Sequence, residues 1–445
     1  MSDALLGLSR YLLTLFVIFY TFHCFVVFIF KSEEERTPFY VIQNILMALT
    51  HILGFYVLAV RSSDPDLLFI CAFQEVMFFA VIILYRMIYP GASRLITNNI
   101  CFLLAVSFII LTRLSYDRSI RQFVVVAVSL VLTLIIPFVI SKLEFLLKRY
   151  TMYYGVAGII ILLAMMTRGT VTNGSKITLT IGGMTFLPSE FVKVLFVFFI
   201  AGMLADEDNI DEETGLPHRN RIISAVLISA LHILILAMCK DLGGAMIFFV
   251  VAVFTMYAAL KKPLILAGGA VSGVLASIVG YKLFSHVRVR VAAWRDPFAD
   301  IEGKGYQLSQ SLFAIGTGSW AGMGLFMGSP EKIPVVEADF IFSAISEEMG
   351  CLFSLCLILI CLSNFLMFMN ISMSIGDGYF KVISLGLAVN YGFQIFLTIG
   401  GVTKLIPLTG VTLPLVSYGG TSVMSTLFMF AIIQGLYIMK RGTQG

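Results

Sequence analysis

Long apolar segments recur along the whole chain, and they constrain its fold more than any other feature. A segment needs roughly 20 mainly apolar residues to cross the 30 Å or so of hydrocarbon in a membrane. We count about thirteen such segments, at residues 9–30, 39–60, 67–89, 97–114, 122–143, 151–167, 188–205, 222–239, 243–260, 263–284, 340–370, 379–402 and 412–439. They are too long and too uniformly apolar for the alternating strands of a membrane barrel. The sequence therefore predicts an all-α, polytopic integral membrane helix bundle.

The composition favours a single membrane domain. Of the 445 residues, 59% are hydrophobic and 13% are charged, which is more apolar than a soluble domain tolerates. No stretch outside the apolar segments is long enough to bury a core of its own. The seven cysteines lack the Cys and His spacing of a metal site, so we interpret them as small core residues. The net charge of +4 does not indicate binding to nucleic acid.

Short basic loops predict which side of the membrane each connection faces. Cytoplasmic loops of membrane proteins carry an excess of lysine and arginine. Under our count, the basic connections fall on one side, which we predict to be cytoplasmic: Lys148 and Arg149, Arg219 and Arg221, Lys261 and Lys262, and Lys440 and Arg441. The 285–338 loop is then extracytoplasmic, the C-terminus is cytoplasmic, and an odd number of helices puts the N-terminus outside. We interpret the acidic run Asp206–Glu213 as a solvated, flexible loop on the inner side.

Ionisable residues within apolar segments are costly, which makes them candidates for function. Glu190 and Lys193 follow Pro188 at i,i+3 spacing, so they share one helix face and favour an intrahelical ion pair. For Glu75 we expect packing or pairing with another helix. Asp241 precedes two glycines and is expected to cap the next helix at its N-terminus.

The loop at 285–338 differs from the other connections because it is long and begins with a basic cluster. Arg288, Arg290 and Arg295 lie within eight residues of one another. The planar guanidinium group binds two phosphate oxygens at once, so this cluster could hold the phosphate of a lipid head group. A carboxylate beside it could act as a general base for a sugar hydroxyl. Together these features suggest glycosyl transfer from a lipid diphosphate.

Two aspartates in this loop are candidates for that base. Asp296 precedes Pro297, an arrangement typical of a helix N-cap followed by proline at the first helical position. Asp300 precedes the turn at Gly303 and Gly305, where a flexible backbone can bring a carboxylate close to a substrate. We therefore favour Asp300 for the chemistry and Asp296 for a structural role.

Several sequence blocks, taken together, match a known pattern over roughly residues 97–440. They are Asp296-Pro297, Gly303-Lys304-Gly305-Tyr306-Gln307, Gly322-Met323-Gly324-Leu325, Asp339-Phe340-Ile341-Phe342, Glu347-Glu348-Met349-Gly350, Pro407-Leu408-Thr409-Gly410 and Ser417-Tyr418-Gly419-Gly420. The chain resembles the SEDS family (shape, elongation, division and sporulation), which includes FtsW, RodA and SpoVE. The resemblance implies a ten-helix membrane glycosyltransferase that polymerises lipid II into peptidoglycan on the outer face, together with a class B penicillin-binding protein. Residues 1–96 then form about three additional N-terminal helices.

The resemblance also implies the roles of individual residues. The position that matches the catalytic aspartate of the family is Asp300. We expect the remaining candidates to bind substrate: Arg288, Arg290, Arg295, Lys193, Glu190, Lys304, Gln307, Asp339 and Ser417. A divalent cation such as Mg²⁺ or Mn²⁺ could help to neutralise the leaving diphosphate, but no ligand cluster in the sequence requires one.

Two other functions are compatible with the same sequence. A transporter or flippase of lipid-linked precursors would also use charged residues within the membrane. An inactive scaffold that activates a partner transpeptidase would need no catalytic aspartate. Polymerisation of lipid II by the purified protein distinguishes these functions.

Overall fold

The structure is a computed structural model that describes residues 2–172, 175–181, 184–206, 209–210 and 216–442. Its helices, in chain order, are α1 Ser2–Val26, α2 Glu33–Ser62, α3 Asp66–Ile88, α4 Arg94–Leu114, α5 Tyr116–Thr133, α6 Ile136–Lys142, α7 Glu144–Arg149, α8 Thr151–Arg168, α9 Ser189–Leu204, α10 Arg219–Met238, α11 Leu242–Leu260, α12 Leu264–Leu283, α13 Ser285–Arg295, α14 Tyr306–Gly318, α15 Ile341–Met349, α16 Cys351–Ser374, α17 Gly378–Val402 and α18 Gly420–Gly442. Single 3-10 turns lie at Pro297–Asp300 and Pro330–Lys332.

The prediction of an all-α polytopic membrane protein is confirmed. Within the described residues, 12 segments are long and apolar enough to cross a membrane. The thirteenth predicted segment, 188–205, forms α9, which has 16 residues and at 1.5 Å per residue extends only about 24 Å. Three short strands, Thr170–Thr172, Ser175–Ile181 and Met184–Phe186, form an antiparallel sheet between α8 and α9.

Three predicted segments are divided, or begin later, in the structure. Segment 340–370 is divided at Gly350, which has a φ of +92° and separates α15 from α16. A Cβ atom at Gly350 would collide with the backbone of Gly322, so only glycine permits this close approach. Segment 122–143 is interrupted before Pro137, where α5 gives way to α6. The last helix begins at Gly420 rather than at residue 412.

The chain divides into two compact units. The first comprises Met1–Val131, Val289–Leu366 and Ile395–Val423. At its centre lies α4, in which every residue from Leu95 to Thr112 is buried. Its neighbours include α1 and α2: Tyr20 stacks on Phe102 at 4.0 Å, and a Cβ atom at Gly54 would collide with Ile109. The additional N-terminal helices are therefore packed into the core of this unit.

The second unit comprises Leu132–Arg288, Met367–Gln394 and Met424–Gly445. Here α9 packs against α8, α10 and α11. The close approach of α8 depends on small residues, since a Cβ atom at Gly155 would collide with Phe199 and one at Gly158 with His232. This packing buries α9, although the helix has only 16 residues.

The structure tests several of the local predictions. Glu75 pairs with another helix as expected, because its Oε1 lies 2.8 Å from Nδ1 of the fully buried His51 on α2. Asp241 caps α11, since its carboxylate accepts a hydrogen bond from the backbone N–H of Gly244.

Most of the acidic run 206–213 lies outside the described residues, but Asp206 itself is buried and not solvated. Six cysteines are buried as expected, whereas Cys351 is exposed.

Candidate functional site

The 285–338 segment is largely helical and not an open loop. It contains α13, the 3-10 turn Pro297–Asp300, α14 and the 3-10 turn Pro330–Lys332. Asp296 plays the structural role predicted for it, because its Oδ1 accepts a hydrogen bond of 3.1 Å from the backbone N–H of Phe298. Pro297 follows in the first turn and is buried. Asp296 therefore sets the direction in which the chain enters the turn that carries Asp300.

Asp300 is exposed and held by its own turn. Its Oδ2 accepts a hydrogen bond of 3.1 Å from the backbone N–H of Lys304. Its carbonyl oxygen accepts another, of 2.9 Å, from the N–H of Gly305. A Cβ atom at Gly303 would collide with the Asp300 carboxylate, and one at Gly305 with the carbonyl of Pro297. Gly305 is thus required for the tight backbone turn, and Gly303 leaves the space that the Asp300 carboxylate occupies.

Lys304 and Gln307 are exposed beside Asp300, so the structure brings three predicted site residues into one surface turn. Two side-chain hydrogen bonds hold the backbone of this turn. Ser309 Oγ donates a hydrogen bond of 3.0 Å to the carbonyl of Pro297, and Tyr306 Oη donates one of 3.2 Å to the carbonyl of Lys332. The backbone of the site is therefore fixed, while the side chains of Asp300, Lys304 and Gln307 are exposed and can contact a substrate.

The three predicted arginines all lie on α13, but they do not form one cluster. Arg288 and Arg295 are exposed and seven residues apart, two helical turns, so they share a face. Arg290 lies on the opposite side, where its Nη1 donates a hydrogen bond of 3.1 Å to the carbonyl of Thr409. Trp294, one turn further along this side, donates a hydrogen bond of 3.1 Å to the carbonyl of Lys404. One face of α13 is thus open, while the other is docked on the chain between α17 and α18.

Asp339 lies beside Arg290. A Cβ atom at Gly410 would lie 3.5 Å from Asp339 Oδ2 and 3.7 Å from Arg290 Nη2, so both groups converge on this glycine. Burial raises the pKa of Asp339 to about 6, although the Arg290 guanidinium opposes this effect. The carboxyl group is consequently able to exchange a proton near neutral pH.

Ser417 is buried, and its hydroxyl group already has two partners. It donates to the carbonyl of Ala338 at 2.5 Å and accepts from the backbone N–H of Leu413 at 2.9 Å. The backbone N–H of Tyr418 donates to the carbonyl of Glu337 at 2.8 Å. This geometry gives Ser417 a positioning role for the segment that carries Asp339, while direct contact with substrate stays a prediction.

Two ion pairs of the first unit join residues that are distant in the sequence and were not predicted from it. Arg113 Nε lies 2.9 Å from Glu348 Oε1, and Arg118 pairs with Glu337. Burial raises the pKa of Glu348 to about 7, against the opposing effect of Arg113. The partners are more than 200 residues apart in the chain, so no local spacing indicates them. The only sequence signal is that Glu348 and Glu337 lie in or beside the blocks that carry the family resemblance.

The second unit contains the predicted pair of Glu190 and Lys193. Lys193 Nζ lies 2.9 Å from Glu190 Oε2 and also donates a hydrogen bond of 2.9 Å to Gln394 Oε1 on α17. Both charged residues are buried, so the predicted intrahelical pair is confirmed and neither side chain faces lipid.

We next searched the described ranges for side chains that could bind a metal ion. Across the ranges that the structure describes, no group of three or more His, Cys, Asp or Glu side chains is close enough to hold a metal ion. A role for Mg²⁺ or Mn²⁺ therefore stays a prediction.

Most of the chain, including the site described above, is similar to known proteins. A family model for FtsW, RodA and SpoVE, described as cell cycle protein, matches residues 91–441. The chain belongs to the FtsW/RodA/SpoVE family. This match starts three residues before α4 and includes every predicted site residue. The first three helices lie outside it.

Named relatives point to one activity. The peptidoglycan glycosyltransferase RodA of Mycobacterium bovis is 31% identical over 64% of this chain and 63% of its own length. The chain thus spans less than two thirds of that relative. The probable peptidoglycan glycosyltransferase FtsW of Enterococcus hirae is 32% identical over 72% of this chain and 83% of its own length.

A solved structure of a peptidoglycan synthase complex that coordinates polymerization and crosslinking contains a chain with the same fold. Its TM-score is 0.65 at 21% identity, and the match covers 78% of this chain and 97% of that one. At this level of identity the likeness establishes that the two chains share a fold.

Proposed function

We propose that this member of the family is a peptidoglycan glycosyltransferase that polymerises lipid II at the outer face of the cytoplasmic membrane. The observation that carries the proposal is the exposed Asp300 carboxylate, held in a turn that Gly303 and Gly305 accommodate. The names of the relatives support the reaction type. Because only part of the length of the mycobacterial relatives is matched, the activity rests on the site itself.

Asp300 is the general base of the proposed reaction. Its carboxylate takes the proton from the 4-hydroxyl of the acceptor sugar, and the hydroxyl oxygen attacks the anomeric carbon of the donor. The bond from that carbon to the lipid diphosphate breaks, and the diphosphate leaves with the electron pair. Asp300 has one carboxylate oxygen committed to the N–H of Lys304, which leaves Oδ1 for the incoming hydroxyl.

The open face of α13 binds the diphosphate in this mechanism. Arg288 and Arg295 are exposed there, and two guanidinium groups can stabilise the charge that develops on the leaving group. Lys304 and Gln307 lie in the same turn as the base and bind the sugars or the phosphates. Arg290, with Asp339 and Ser417 behind it, holds α13 on the chain between α17 and α18. Lys193 and Glu190 complete the proposed set of substrate-binding residues.

The proposed topology puts the 285–338 segment outside and the C-terminus in the cytoplasm. Contacts within the first unit support it. Arg10, near the start of α1, donates a hydrogen bond of 3.2 Å to the carbonyl of Gly322, and Arg113, at the end of α4, lies beside Gly328 and Glu331. The N-terminus of α1 and the C-terminus of α4 therefore lie on the side of the 285–338 segment. A total of thirteen spans likewise puts the N-terminus on the side opposite to the C-terminus.

We further propose that the chain works with a class B penicillin-binding protein that crosslinks the new strands. The similar chain in a complex that couples polymerization to crosslinking supports such a partner. Residues 1–96 and 97–440 are proposed as an N-terminal addition and the catalytic core, which agrees with the start of the family match at residue 91.

The test is a polymerisation assay with purified protein, lipid II and the partner, in which glycan strands are separated by length. Strands that form only when the chain is present support the proposal. Movement of lipid II across vesicles without polymerisation would identify a flippase instead. Strands that persist when Asp300 is replaced in a partner-containing complex would identify a scaffold. Labelling of single cysteines at Ser319 and Lys262 tests the topology, which predicts that they react from opposite sides.

A further inference from the structure

A polar cleft lies between α2, α3 and α4. It is at the N-terminal end of α4, the end that is remote from the 285–338 segment. Its cavity volume is about 60 Å³ and its mouth is open, so it has room for a small polar group such as a phosphate. Its lining includes Arg86 from the end of α3, Arg94 from the start of α4, and Tyr40, Tyr85 and Tyr89. Most of the cleft is built by the helices that lie outside the family match.

Among the described residues, neither arginine has an acidic partner. Arg94 donates one hydrogen bond, of 2.9 Å, to the neutral hydroxyl of Thr37. Arg86 is exposed and makes no hydrogen bond or ion pair with any residue that the structure describes. By contrast, Arg36 nearby is neutralised by Glu33 at 3.3 Å. The cleft therefore presents two uncompensated guanidinium groups, each able to bind two oxygens of a phosphate.

Two further features of the lining suit a ligand with a negative charge and hydroxyl groups. The first turn of α4 starts at the cleft without a side-chain cap from Ser93, so the positive end of the helix dipole adds to the field of the arginines. Asn44 Oδ1 is buried and accepts no hydrogen bond from any described residue. A hydroxyl group of a ligand could donate to it.

The cleft lies at one end of apolar helices, which favours a lipid over a free ion. Arg113 at the other end of α4 contacts the 285–338 segment, so the cleft is about 30 Å away and, in the proposed topology, faces the inner leaflet. Tyrosines are enriched at this depth of a membrane. Val41, Ile45, Ile83 and Met87 are exposed on α2 and α3 beside the cleft and provide an apolar surface for acyl chains.

We infer that this cleft binds the head group of an anionic glycerophospholipid of the inner leaflet. Its phosphodiester lies between Arg86 and Arg94, and a hydroxyl group of the head group donates to Asn44. Basic pockets between helices on the cytoplasmic side are the usual sites for such head groups. This binding does not depend on the proposed catalytic activity.

Native mass spectrometry of the full chain tests the inference. The protein is exchanged into detergent with equal amounts of dioleoyl-phosphatidylglycerol and dioleoyl-phosphatidylcholine, and the bound lipids are counted. We expect wild-type protein to retain one phosphatidylglycerol in preference to phosphatidylcholine. The Arg86→Gln variant and the Arg86→Gln/Arg94→Gln variant should bind this lipid about fivefold more weakly per arginine removed.

Arg61→Gln is the matched control, because Arg61 is exposed at the opposite end of α2 and does not line the cleft. It should retain the lipid as wild type does. If the thermal midpoint shows that the double variant folds poorly, the test relies on Arg86→Gln alone. Arg86 is exposed and has no partner among the described residues, so its replacement should not disturb folding. Equal retention by Arg86→Gln and wild type would overturn the inference. Inorganic phosphate is also added in a molar amount equal to that of the lipid. If this phosphate displaces the lipid, the site is instead a site for free phosphate.

Discussion

Oδ2 of Asp300 lies 3.1 Å from the backbone nitrogen of Lys304, and the turn that joins them leaves no room for a side chain at Gly303. The carboxylate is therefore positioned by the backbone of its own turn and not by a neighbouring charged residue. Residues that do not touch the substrate should accordingly control the reaction through this turn.

We expect Gly303→Ala to slow polymerisation by about 10²-fold, because a displacement of the base by about 1 Å has an effect of this size. The Cβ atom would collide with the Asp300 carboxylate and push it out of place. Gly316→Ala on α14 is the control, since a Cβ atom there meets nothing within 4 Å. Polymerisation rates and thermal midpoints of both variants are to be measured. Equal rates for Gly303→Ala and wild type would show that the turn does not position the base.

We expect Arg295→Gln to raise the lipid II concentration needed for half-maximal rate about fivefold, because it removes one phosphate contact from the open face of α13. The effect should shrink at high salt, which screens exposed charges. Arg168→Gln is a suitable control, since Arg168 is an exposed arginine at the end of α8, outside the site. An unchanged lipid II dependence for Arg295→Gln would exclude the open face as the diphosphate site.

We expect Lys193→Met to lower the free energy of unfolding by about 3–5 kcal/mol, because it leaves the Glu190 carboxylate buried without its cation. The double variant Glu190→Gln/Lys193→Met should recover most of this loss. The measurement is a double-mutant cycle. Thermal midpoints in detergent are determined for the wild type, Lys193→Met, Glu190→Gln and the double variant. Additive losses in the double variant would mean that the two side chains do not stabilise each other.

The Glu348 carboxyl group should make stability depend on pH. Its pKa is raised from 4.5 to about 7 by burial, so the folded chain binds this proton more tightly than the unfolded chain. The free energy of unfolding should therefore fall as pH rises from about 4.5 to about 7, by on the order of 1 to 3 kcal/mol.

Thermal midpoints at pH 5 and pH 7.5 measure this dependence. Glu348→Gln should show a smaller decrease than wild type over this interval. Glu331→Gln should behave as wild type, because Glu331 binds the same Arg113 but its side chain is 60% exposed. If Glu348→Gln and wild type lose stability equally with pH, a different group is responsible.

Features determined by neighbouring residues were predictable from the sequence. The apolar segments, the Asp296 and Asp241 caps and the Glu190–Lys193 pair all depend on spacings of a few residues, and the structure confirms them. The turn at Asp300 was also indicated, because glycine marks backbone that side chains would obstruct.

Features that depend on distant residues were not predictable in the same way. The break at Gly350 arises from close contact with Gly322, and the Arg113–Glu348 pair joins residues more than 200 positions apart. The predicted cluster of three arginines was wrong for Arg290, because helical geometry directs it away from Arg288 and Arg295 and toward Thr409. Proximity in sequence is not proximity of side chains on a helix.

The most direct test of the proposed chemistry compares Asp300→Asn with Asp296→Asn in a purified complex with the partner and lipid II. Asparagine at residue 300 can still accept the hydrogen bond from Lys304 but cannot take a proton, so the rate of polymerisation should fall by about 10²–10⁴ while the thermal midpoint and partner binding stay near wild type. Asp296→Asn should be mild, because asparagine is nearly as good an N-cap as aspartate. Polymerisation by Asp300→Asn at the wild-type rate would contradict the assignment of the base.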